Sequence, residues 1–162
     1  MTVTFNAFEV FEIAEQIERN GTDFYIRAAE LFDDSDACQM FLRLAEWEKE
    51  HEGTFAQMKQ QLSEQSRQVS TSESEDLLPD PRVMAGLAVF GIRTYPAEEL
   101  RARQEKTDII RRAVEKEKDS IVFYHGLKEF VPSGADKDRI DEIIKEEMRH
   151  IVVLDQSLKE NE

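Results

Sequence analysis

The chain has 162 residues, of which 40% are apolar and 35% charged, and its formal net charge is -14. That length supports one domain with a sizeable core and is short for two of ordinary size. The negative charge argues against a nucleic-acid backbone or an anionic membrane as partner, because both would repel it, and favours cations instead.

The first element in chain order is a helix: Val10, Ile13, Ile17, Phe24, Ala28 and Leu31 keep a three-to-four spacing. Asp33, Asp34 and Ser35 read as turn and cap. Phe41, Leu44, Ala45, Glu48, Phe55, Met58 and Leu62 then trace one face of a second helix, which predicts a helical hairpin over residues 5–62. The single cysteine, Cys38, has no partner for an intrachain disulfide and leaves no Cys-x-x-Cys for a rubredoxin-type iron site, so it reads as structural.

Residues 63–76 are rich in Ser, Glu and Gln without an apolar period, the pattern of a linker or a fraying helix end. Val83 to Ile92 is an apolar segment, read as a short helix, and Pro96 with Glu98 and Glu99 as another helix start. The apolar segment falls short of the ~18 residues of a membrane span, and the amino terminus lacks a basic-then-apolar signal pattern, so no membrane and a cytoplasmic location are expected. Residues 63–105 thus form a long crossover, and a second helical hairpin follows over 106–160, broken at Pro132, Ser133 and Gly134. The expectation is a single all-α domain, residues 1–162. A connection long enough to run the length of the bundle makes the middle helices parallel, as in ferritin-like four-helix bundles.

The two hairpins are weak repeats of each other. Residues 14–58 recur without gaps at 113–157, an offset of 99 positions. Ala14, Glu18, Phe24 and Tyr25 align with Ala113, Glu117, Phe123 and Tyr124, and Glu48 and His51 align with Glu147 and His150. Glu18 and Glu48 each lie 15 residues from Asp33, and Glu117 and Glu147 each lie 15 from Pro132, so antiparallel helices bring each pair level. That level is roughly 22 Å from the turn, near the middle of a long bundle.

Glu48-x-x-His51 and Glu147-x-x-His150 place a carboxylate and an imidazole on one helix face, where they can bind an ion together. With one further Glu from each of two other helices, here Glu18 and Glu117, this is the ligand pattern of di-iron and di-manganese carboxylate bundles. Four carboxylates balance two divalent ions, and the donor set accepts iron, zinc or manganese. Two of the three histidines carry the spacing, both at repeat-equivalent positions, which sets it apart from chance in a Glu-rich chain. Four carboxylates facing a core without cations would cost several kcal/mol each or become protonated, roughly speaking.

Tyr25 and Tyr124 lie two turns beyond the single glutamates, where a hydroxyl can hydrogen-bond a ligand carboxylate. Arg19 and Lys118, beside those glutamates, are expected to neutralise part of the charge. His125 reads as a surface residue, and Trp47 as a core or interface contact. Glu15, Glu46, Glu50, Glu115 and Glu146 read as solvated helix faces.

Over nearly its whole length the sequence resembles the rubrerythrin group of the ferritin-like superfamily. The resemblance rests on AEQIERNGTDFY (Ala14 to Tyr25), EWEKEHEGTF (Glu46 to Phe55), AVEKEKDSIVFY (Ala113 to Tyr124) and EEMRH (Glu146 to His150). It implies two iron ions per chain, bridged by Glu48 and Glu147, with Glu18, Glu117, His51 and His150 as terminal ligands, and zinc or manganese as replacements. It also implies reduction of peroxide or dioxygen with electrons from an external donor such as a rubredoxin-like protein, and a homodimer or larger homo-oligomer. Rubrerythrins that act as peroxidases carry a further carboxylate three residues after the single Glu of the third helix; here that position is Ser120. The competing readings are a ferroxidase serving iron storage or detoxification, and a structural bundle whose ligand residues merely pair with one another.

Overall fold

The computed structural model describes residues 7–66, 105–131 and 134–161. These form four helices and no strand: α1 (Ala7–Glu30), α2 (Ser35–Ser66), α3 (Lys106–Leu127), which runs into a 3-10 turn at Lys128–Phe130, and α4 (Gly134–Glu160). Between α1 and α2, Asp34 Oδ1 accepts the backbone N–H of Asp36 at 3.0 Å, so Asp34 is the capping side chain of the expected turn. The other oxygen of Asp34 accepts from Lys106 Nζ at 3.1 Å and ties this turn to the start of α3.

Helix α2 continues to Ser66, four residues past the expected end of the hairpin at 62. Gln, Glu and Ser tolerate a helix well enough to extend it where no apolar period remains to be read. The expected short helix at Val83 to Ile92, the helix start at Pro96, the remainder of the crossover from residue 67 to 104, and the break at Pro132 and Ser133 lie outside the described residues.

Cross-bundle contacts fix the helix directions. Tyr124 on α3 meets Glu18 on α1, and Tyr25 on α1 meets Glu117 on α3, so a step of seven forward on one helix is seven back on the other. By the same logic, the contacts of His51 with Glu147 and of His150 with Glu48 make α2 and α4 antiparallel. Since α1 pairs with α2 and α3 with α4, α2 and α3 run parallel, the arrangement expected of two hairpins joined by one crossover.

Two apolar clusters fill the interior, one toward each end. Phe11, Ile17, Phe55, Tyr124, Leu127 and Ile140 belong to the first, and Phe24, Phe41, Leu44, Ile109, Ile110 and Leu154 to the second. Each such side chain contributes about 1.5–3 kcal/mol by leaving water. Between the clusters lies a layer of buried polar groups, and that layer holds the repeated motif.

Candidate metal centre

All six expected ligands come together in this layer, and all are buried: Glu18, Glu48, His51, Glu117, Glu147 and His150. They form two overlapping sets whose ligand atoms lie within 4.8 Å of one another. Glu18, Glu48, His51 and Glu147 make one, and Glu48, Glu117, Glu147 and His150 the other. Glu48 and Glu147 belong to both, as carboxylates between two cations must.

Both histidines turn Nδ1 inward. His51 Nδ1 lies 3.1 Å from Glu147 Oε1 and 3.6 Å from Glu18 Oε2. His150 Nδ1 lies 2.8 Å from Glu147 Oε2 and 3.0 Å from Glu48 Oε1. These last two approaches are close enough for charge attraction but lack hydrogen-bond geometry: His150 Nδ1, Glu48 Oε1 and Glu147 Oε2, with Glu18 Oε2, are buried without a hydrogen-bond partner. Lone pairs that converge on common points instead of on each other's protons are what a cation site requires.

Left to themselves, these side chains must share protons to coexist. Burial, followed by the charges of Glu147, Glu117 and Glu18, raises Glu48 well above the usual carboxylate range. Burial and the charge of Glu147 push Glu117 up to about 8. Burial would lower the His51 imidazole, but its hydrogen bond to Glu147 and the nearby Glu18 outweigh that and hold it at about 12. The close approach of Glu117, Glu147 and Glu48 raises His150 too, its burial notwithstanding. Glu147, buried yet flanked by both imidazoles, is lowered instead. Divalent cations would displace these protons and satisfy the converging lone pairs, so the residues fit a pair of metal ions.

The tyrosines act across the bundle. Tyr25 donates its hydroxyl hydrogen bond to Glu117 Oε1 and Tyr124 donates to Glu18 Oε1, so each phenol holds the lone glutamate of the other repeat. Burial, and then the neighbouring carboxylates, raise both phenols well above their ordinary range and keep the protons in place.

Several surroundings differ from the sequence reading. Arg19 pairs with Glu52 at 2.6 Å and Lys118 with Glu115 at 2.8 Å, so neither offsets the central charge. Glu15 is buried and pairs with Lys59 at 2.9 Å. Glu146, expected on a solvated face, is half-buried and accepts from His51 Nε2 at 2.8 Å. Trp47 stacks on the ring of His150. The repeat carried a signal for these two, since they occupy matching positions, but their unlike chemistry hid it. His125 is exposed, as expected.

Among the described residues, two openings flank the layer. Between α1 and α3 is a cleft of about 10 Å³, room for one water, lined by Gly21, Ser120, Glu48 and Glu117 among others. Between α2 and α4 is a pocket of about 180 Å³ lined by Trp47, Glu50, His51, Glu146, Arg149 and His150.

No family model matches the chain, and no curated protein matches it in sequence. Among solved structures, it is similar to one described as a ferritin-like diiron-carboxylate protein from Thermotoga maritima, with a TM-score of 0.71 and 21% identity over 100% of both chains. With the helix order and directions above, that likeness gives this chain a ferritin-like fold.

Proposed function

We propose that the chain is a di-iron carboxylate protein of the rubrerythrin kind that reduces peroxide or dioxygen with electrons from an external donor. One observation carries the reading: six buried side chains form two ligand sets that share Glu48 and Glu147, with four of their atoms left without hydrogen-bond partners. The description of the Thermotoga maritima structure as a diiron-carboxylate protein supports it. Iron is preferred over zinc because the proposed reaction needs a metal that changes oxidation state.

In this reading Glu18, Glu48, His51 and Glu147 would hold one ion, and Glu48, Glu117, Glu147 and His150 would hold the other. The chemistry bound iron supplies there is two-electron transfer to the oxidant; peroxide takes up two electrons and two protons and leaves as two waters. Tyr25 and Tyr124 keep Glu117 and Glu18 aimed inward by hydrogen bonds that reach across the bundle. The apolar clusters pack above and below the layer, and the cleft beside Gly21 and Ser120 leaves water-sized room next to Glu48 and Glu117. In this reading the electrons come from an external donor, since the one cysteine cannot build a rubredoxin-type iron site.

The test is iron content, and the absorption spectrum of the reduced, iron-loaded protein before and after peroxide. Two irons per chain and rapid appearance of ferric absorption are expected. Less than one ion per chain after iron repletion, or iron that peroxide leaves ferrous, would sink the reading. The mass in solution is expected to be that of a homodimer or other small assembly; a closed shell of many subunits would point to storage.

A further inference from the structure

The pocket between α2 and α4 is lined by three residues of one hairpin and their counterparts in the other: Trp47 with Glu146, Glu50 with Arg149, and His51 with His150. Only the histidines are the same. The pocket therefore sits where the repeat folds onto itself, and its chemistry breaks the symmetry that the ligands keep.

On each helix the residue just before the shared glutamate reaches across to the histidine of the other. Glu146 does so with a carboxylate oxygen, 2.8 Å from His51 Nε2. Trp47 does so with its indole face, its ring centroid 5.1 Å from that of His150 and the planes 10° apart. The consequences for a ligand differ. A carboxylate that accepts the Nε2 proton fixes the tautomer with Nδ1 free to bind, and it pushes electron density onto Nδ1. An indole has no acceptor to offer, so it can orient the His150 ring without strengthening it as a donor. Arg149, 3.9 Å from the other oxygen of Glu146, helps keep that carboxylate in place.

We propose that this difference makes the two halves of the metal centre unequal: Glu146 is a positioning residue for His51, and a divalent cation fills the Glu18–His51 half before the Glu117–His150 half. The proposal rests on the dimetal reading and goes beyond it, because the six ligands alone are symmetric.

Cobalt(II) titrated into the metal-stripped full chain tests it, followed by visible absorption and by NMR of the exchangeable imidazole protons. Two resolved steps totalling two ions are expected, and the first equivalent should bring out a hyperfine-shifted, slowly exchanging N–H from His51. Glu146→Ala should weaken the first step by roughly 10–100-fold and abolish that signal. Glu146→Gln, which keeps a neutral acceptor, should fall between, and Trp47→Glu should bring the second step toward the first. Two ions bound in one unresolved step in the unmodified chain, or equal weakening of both steps by Glu146→Ala, or no change, overturns the inference and leaves the dimetal reading standing. Less than one ion bound overturns both.

Discussion

A methyl group at position 21 would stand 2.7 Å from Glu48 Oε2, closer than any real side chain allows. The obstacle is the far end of a flexible side chain, so Gly21→Ala is expected to fold and to gain up to about 1 kcal/mol of helix stability while displacing Glu48. The expected result is an unchanged or raised melting temperature for the metal-stripped protein and metal affinity lower by at least tenfold; unaltered affinity in calorimetry would show that Glu48 does not need that space. The tyrosines make a second prediction at this scale. Tyr25→Phe removes the donor to Glu117, and Tyr124→Phe removes the donor to Glu18, each leaving a buried carboxylate oxygen to be satisfied by metal alone. Each change should weaken metal binding, at the cost of one hydrogen bond to a charged group, about 1.5–3 kcal/mol. The six proposed ligands were legible because two i,i+3 motifs and two lone glutamates recur at one offset, a coincidence that surface residues rarely produce. The roles of Glu146 and Trp47 were not, since helical spacing says which face a residue occupies and not which partner it meets on another helix.

At the level of the helices, each apolar stripe does two tasks, closing the core and setting the height of the ligands. Phe55, fully buried on α2, packs against Phe11 with centroids 6.3 Å apart and against Tyr124 with centroids 5.0 Å apart. Phe55→Ala should therefore cost about 3–5 kcal/mol in urea unfolding. It should also lower metal affinity, because Tyr124 loses the neighbour that steadies its bond to Glu18; full retention of affinity would separate the two tasks. The first hairpin was readable from period and cap residues, Asp34 among them, and the second from its repeat of the first. The end of α2 was not: apolar periodicity stops near Leu62, whereas the helix runs to Ser66. Helix direction was inferred only from connection length, and the paired contacts of Tyr25 and Tyr124 now fix it.

For the molecule as a whole, the polar layer links stability to pH and to metal. Glu117 holds its proton up to about pH 8 in the folded chain but only to its ordinary 4.5 when unfolded, and His51 holds its own to about 12 against 6.5. Over the pH range between, the folded state keeps protons that the unfolded state has released, so stability falls as pH rises. The metal-stripped protein should thus melt at progressively lower temperature from about pH 5 to pH 8. Metal binding, which expels those protons, tightens over the same range, so the gap in melting temperature between loaded and stripped protein should widen. A gap independent of pH in circular-dichroism melts would contradict this. The shared carboxylates add a mechanical consequence. Each ligand set takes three groups from one hairpin and a single glutamate from the other, Glu147 in the first case and Glu48 in the second. Loaded as proposed, the ions act as rivets through the waist of the bundle: pulling the hairpins apart would mean breaking metal–oxygen bonds on both sides at once, whereas each hairpin taken singly could keep a three-ligand grip on its own ion.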